Sequence, residues 1–98
     1  MNIVKEKNGS ELTVYLEGRL DTTTSPKLEE ELRDALDGVT DLVFDIEKLE
    51  YMSSAGLRVF LQAQKRMNKQ GSMKVRHVNE TIRDIFEVTG FSDILTIE

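Results

Sequence analysis

The chain has 98 residues, enough for one domain with a modest core and too few for two. It has no cysteine, which excludes disulfides, thiolate metal sites and thiol nucleophiles, and its net charge of −5 argues against a general affinity for nucleic-acid phosphates. No apolar run approaches a membrane span and MNIVKEKNGSE has no apolar signal-type segment, so a cytoplasmic location without membrane attachment is expected.

IVKEKNGSELTVYLEG reads as a β-hairpin, with Asn8-Gly9 as two turn residues that tolerate positive φ. Leu12, Val14 and Leu16 alternate with Thr13, Tyr15 and Glu17, giving the second strand one buried face. Gly18 closes that alternation. SPKLEEELRDALDG predicts a helix with Ser25 as N-cap, Pro26 at the first helical position and Gly38 past the end. DLVFDI is apolar on both faces, as a short central strand covered on each side is, and a loop follows it. AGLRVFLQAQKRMNKQG predicts a second helix, with Leu57, Phe60, Leu61 and Met67 inward and Gly71 as its stop. MKVRHV is a further strand, NETIRDIFEVTGF a helix capped by Asn79, and ILTI leaves room for a last edge strand. The order β-β-α-β-α-β-α(-β) predicts a single α/β domain over residues 1–98. It has a mixed four- to five-stranded sheet, an N-terminal hairpin, helices mainly on one face and parallel pairing across each helix.

YMSSAGLRVFL, Tyr51 to Leu61, places two serines before a helix that needs only one capping hydroxyl. A serine there is suited to phosphorylation, because the phosphate meets free N–H groups and the positive helix end. The modification brings about −1.5 to −2 charges and three acceptor oxygens, enough to exclude a partner without unfolding the domain. Gly56 allows close approach of neighbouring structure or of a partner. Enzyme chemistry finds no support. The only histidine, His77, lies in a strand pattern, and Ser54 has no Gly-x-Ser-x-Gly elbow around it. P-loop and dinucleotide fingerprints are absent. Asp41, Asp45 and Glu47 form only a weak metal pattern, Asp45 reading better as a strand-end residue that fixes the loop, so no metal or cofactor is expected.

DIEKLEYMSSAGLRVFL resembles the signature of the STAS domain of bacterial anti-sigma factor antagonists, in which a strand and loop lead to an aromatic-apolar-Asp-Ser-small-Gly-Leu helix start. GRLDTTTSPKLEEEL is similar to the family's Gly-x-Leu-Asp turn, and VRHVNETIRDIFEVTGF to its closing segment. The resemblance implies an antagonist that binds an anti-sigma factor, a serine kinase of the histidine-kinase-like ATPase fold, and so releases a sigma factor. It implies that the kinase phosphorylates the antagonist and that a PP2C-type phosphatase restores it. Matched position by position, the phosphoacceptor is Ser54, followed by Ala55, Gly56 and Leu57. Ser53 stands where many members carry Asp and is a second candidate acceptor. Asp21, Thr22, Thr23, Ser53, Ala55, Gly56 and Arg58 form the implied partner face; Tyr51 lies beside it and Met52 reads as core. A STAS interaction or scaffold module that binds a protein or small ligand without phosphorylation is the other reading. A monomer or weak dimer is expected.

Overall fold

The computed structural model describes all 98 residues, Met1–Glu98. Strands β1 (Asn2–Asn8) and β2 (Glu11–Leu20) pair antiparallel, Asn2 opposite Glu17 and Asn8 opposite Glu11. The two turn residues are therefore Gly9 and Ser10, not Asn8 and Gly9. Gly9 takes φ +63° and Ser10 keeps a negative φ, the pattern of a tight hairpin that needs glycine only at its first loop position. β2 also continues through Gly18 instead of ending there, and Leu20 at its end is fully buried.

Helix α1 (Ser25–Ala35), strand β3 (Asp41–Met52), helix α2 (Ser54–Gln70), strand β4 (Ser72–Arg76) and helix α3 (Glu80–Thr89) follow, then a short 3-10 turn, Phe91–Asp93. The sheet order is β1-β2-β3-β4, with β2/β3 and β3/β4 parallel. The final ILTI adds a single bridge, Val75 to Ile97, and not a fifth strand. No helix is long and apolar enough to cross a membrane.

DLVFDI is only the first half of β3, which runs on to Met52 where a loop was expected. The step from Tyr15 to Glu17 on β2 is matched by the longer step from Asp45 to Lys48 on β3. A second slip sets Gly18–Arg19 against Leu49–Tyr51. Each slip is a bulge that inserts one extra residue on β3 and turns the side chains that follow. Ile46, Leu49 and Met52 stand three apart, and all three are buried. Period-two alternation is lost there although the strand is not, so the sequence pattern reads as if the strand had stopped.

Leu12, Val14, Leu42, Phe44, Met73 and Val75 of the sheet share one apolar core with Leu28, Leu32, Leu57, Phe60, Ile82 and Phe86 of the helices. The rings of Phe44 and Phe60 stack with centroids 4.3 Å apart, locking β3 to α2. Each such side chain, fully buried, contributes about 1.5–3 kcal/mol. Val43 and Thr13 are buried too but stand outside that core. The register sets Val4, Tyr15, Asp45 and Arg76 in a row across their face. The helices thus cover one face of the sheet, and β3 is not sandwiched between two apolar layers.

Candidate functional site

Helices α1 and α2 start side by side, each just past the end of a strand. Ahead of α1, the Asp21 carboxylate organises the turn. Its Oδ1 accepts from the Thr23 N–H at 2.9 Å, the Thr23 hydroxyl at 2.7 Å and the Thr24 N–H at 3.2 Å. The Thr24 hydroxyl accepts from the Asp21 N–H at 2.9 Å and donates to the Arg19 carbonyl at 2.8 Å. The Thr23 hydroxyl foremost, and then the Thr23 N–H, hold the Asp21 carboxyl below the usual carboxylate range. Ser25 is consequently not the N-cap. Thr24 takes that position, and Ser25 is the first helical residue, 4% exposed, with its Oγ unpartnered. No side chain caps α1: the Ser25 N–H donates to the Asp21 carbonyl at 2.8 Å, Pro26 has no N–H, and the Lys27 N–H donates to the Thr24 carbonyl at 3.2 Å.

The start of α2 is different. Ser53 occupies the N-cap position with extended backbone, φ −86° and ψ 175°, yet its side chain makes no capping bond. Its N–H donates to the Leu20 carbonyl at 2.8 Å and its carbonyl accepts from the Leu57 N–H at 3.0 Å, which ties the helix start to the end of β2. The Ser53 Oγ itself is buried without a partner. The N–H groups of Ser54, Ala55 and Gly56 therefore have no side-chain acceptor. Ser54 is exposed, and so is Arg58 one turn later.

Gly56 is buried, and a Cβ there would lie 2.7 Å from Leu20 Cγ and 3.0 Å from Met52 Cγ. The close approach it permits is to the chain's own core, at Leu20 and Met52. Met52 is buried, whereas Tyr51 is exposed beneath the Arg19 guanidinium, 4.5 Å from the ring centroid. A notch of about 210 Å³ separates the two helix starts, and Thr22, Ser25, Pro26, Glu29, Ala55 and Arg58 are among the residues lining it.

A second polar cluster sits on the uncovered face of the sheet. Asp45 lies within β3 and is 6% exposed. Its Oδ2 accepts from Arg76 Nε at 3.0 Å and lies 2.9 Å from His77 Nδ1; its Oδ1 accepts from the Glu47 N–H at 3.2 Å. Burial pushes the Asp45 carboxyl up, but Arg76, the Glu47 N–H and His77 outweigh it and hold the group below its usual range. The same pair holds the Arg76 guanidinium above its usual range. Asp45 is thus a mid-strand residue, not a strand-end one, and the connection it fixes is the one from β4 to α3. His77 there has φ +58°, a region that histidine enters more readily than most residues. Asp45, Glu47 and His77 each bring one ligand-type atom within 4.8 Å of the others, as a divalent cation needs. Both Asp45 oxygens already accept hydrogen bonds, so the trio is a closed network as it stands. Asp41 lies apart, accepting from the Ser72 hydroxyl at 3.1 Å.

The family model of the STAS domain matches residues 2–98. The chain belongs to the STAS domain family. It is 32% identical over 98 residues to the anti-sigma-B factor antagonist of Bacillus subtilis (strain 168), covering 99% of this chain and 90% of that protein. It is 34% identical over 86 residues to the anti-sigma-B factor antagonist of Staphylococcus aureus (strain NCTC 8325 / PS 47), covering 86% and 80%. An anti-sigma factor antagonist from Mycobacterium paratuberculosis superposes with a TM-score of 0.88 at 22% identity, covering 98% of this chain and 83% of that one. The anti-sigma factor antagonist SpoIIAA in its unphosphorylated form superposes at 0.79 and 19% identity, covering 99% and 87%. These structures share the fold.

In this STAS domain the residues marked out in the sequence separate into three groups. Thr22, Ala55 and Arg58 meet at the notch, and Ser54 is exposed at the head of α2. Asp21 and Thr23 form the turn before α1, their polar atoms largely engaged with each other. Ser53 and Gly56 turn inward. No hydrogen bond joins His77 to either serine; its neighbours are Asp45 and Glu47. The sequence reading missed the Asp45 network. Its one signal was a carboxylate inside an apolar strand, and the register that sets Asp45 opposite Arg76 is a tertiary fact.

Proposed function

We propose that this STAS domain is an anti-sigma factor antagonist switched by phosphorylation at Ser54. Unmodified, it binds an anti-sigma factor, a serine kinase of the histidine-kinase-like ATPase fold, and so frees a sigma factor. Phosphorylated, it releases that partner, and a PP2C-type phosphatase resets it. The observation that carries the reading is the head of α2, where an exposed serine precedes N–H groups that no side chain caps. A phosphate on that hydroxyl meets those donors and the positive end of a 17-residue helix. It adds charge at the exposed head of α2 without entering the core. Of the two serines, Ser53 is disfavoured as acceptor because its Oγ is buried. Two further facts support the reading: the likeness to proteins named anti-sigma-B factor antagonists, and the shared fold with SpoIIAA, which also has a phosphorylated form, superposing at a TM-score of 0.77 and 19% identity.

The test is capture from lysate of the source cell with wild-type, Ser54→Ala and Ser54→Asp baits, each checked for fold by circular dichroism. A kinase-like ATPase retained by wild type and Ser54→Ala but lost by Ser54→Asp is the expected result. Equal capture of one partner by all three contradicts the switch and leaves a constitutive STAS interaction module.

A further inference from the structure

Of the charged side chains around the two helix starts, Arg19 and Asp21 are engaged with each other or with neighbours, whereas Lys27, Glu29 and Arg58 form no ion pair. Arg19 lies over Tyr51 and 3.9 Å from Asp21 Oδ2, and the Asp21 Oδ1 is taken up by Thr23 and Thr24. Elsewhere Arg66 pairs with Asp37 and Arg76 with Asp45. Arg58 is exposed, forms no ion pair and donates no hydrogen bond, although Glu29 lines the same notch. Its position makes that notable. A cation close to the positive end of a helix is electrostatically misplaced unless an anion comes between them.

Ser54 and Arg58 are one helical turn apart, so they share a face of α2. Helical side chains lean toward the N-terminus, which carries a long side chain at position 58 over the turn that begins with Ser54. Arg58 lines the notch between the two helices together with Thr22, Pro26, Glu29 and Ala55, the residue next to Ser54.

We propose that Arg58 is an intramolecular clamp that holds the phosphoryl group on Ser54 against the open N-terminus of α2. The inference rests on the reading of Ser54 as the phosphoacceptor and adds the residue that fixes the modified state. Transfer from ATP forms the Ser54 Oγ–P bond, breaks the bond from the γ-phosphorus to the oxygen that leaves with ADP, and releases the hydroxyl proton. The resulting phosphate has backbone N–H groups on one side and the guanidinium fork on the other, a geometry that arginine matches better than lysine. Unmodified Ser54 offers Arg58 no charge, so the clamp closes only after modification.

The test uses the full chain with phosphoserine installed at position 54 during synthesis, so that no kinase is needed. The phosphate is titrated by phosphorus NMR in three backgrounds: native Arg58, Arg58→Gln and Arg58→Lys. Its second ionisation should lie lowest with arginine, a few tenths of a pH unit higher with glutamine and between the two with lysine. Molar salt should collapse the gap. Identical midpoints in all three chains at low salt would overturn the clamp. Binding of the anti-sigma factor to the same phosphorylated samples is read separately. Undiminished binding would refute the switch and leave the titration to decide the clamp alone.

Discussion

Helices α1 and α2 each follow the end of a strand and each is preceded by a run rich in hydroxyl side chains, yet they complete their first turns in opposite ways. Before α1, Asp21 gathers the N–H groups of Thr23 and Thr24 and the Thr23 hydroxyl onto one carboxylate oxygen, and the helix's own first donors go to backbone carbonyls, Ser25 to Asp21 and Lys27 to Thr24, with Pro26 having none. Before α2, the residue in the capping position turns its hydroxyl into the interior and leaves the first N–H groups without a side-chain partner. The third helix shows what ordinary capping looks like here: Asn79 Oδ1 accepts from the Ile82 N–H at 2.9 Å while its Nδ2 donates to the Leu49 carbonyl at 2.8 Å. One helix start among the three is left open to an external acceptor, and it carries the exposed serine. Local hydrogen bonding thus separates a closed start from an open one where composition does not.

The contrast can be broken at several points. The largest effect is expected from Gly56→Val, which drives atoms into Leu20 and Met52 under the open start; overpacking of this kind costs about 1–3 kcal/mol or more, read by urea denaturation. Asp45→Asn, away from both helix starts, should cost about 2 kcal/mol by unpairing Arg76, and it should leave partner capture unchanged. Its pH dependence has a definite sign. Asp45 is held below its usual range in the fold, so its stabilisation is whole above the unfolded value of about 3.9 and is lost as pH falls through the folded value. The Asn variant should therefore show a flatter acid limb in urea midpoint against pH. A smaller loss is expected from Asp21→Ala, which strips the acceptor from the closed start and lowers the urea midpoint. The smallest change should come from Ser53→Ala. A capping serine costs about 1 kcal/mol when removed, whereas an unpartnered buried hydroxyl costs almost nothing, so the variant should match wild type within about 0.5 kcal/mol. A full capping loss there would mean that the α2 start is closed after all.

Much of this arrangement was legible in residue order. The element sequence, the hairpin and the Asn79 cap followed from alternation, helical periodicity and end signals. What misled was non-local. The bulges that carry β3 to Met52 are set by pairing with β2, and no one-strand pattern contains them. Ser25 resembled a cap because the sequence does not show that the turn around Asp21 starts the helix one residue earlier and hands its first donors to backbone carbonyls. Ser53 and Ser54 are adjacent and chemically identical, and only the packing against the end of β2 turns one inward and the other out.

The most direct test of the central claim is to phosphorylate the chain with the kinase captured as its partner and to map the phosphate by tandem mass spectrometry, in wild type and in Ser53→Ala. A single phosphate on Ser54 is expected in both. Phosphate on Ser53, or none on Ser54 when Ser53 is removed, would contradict it.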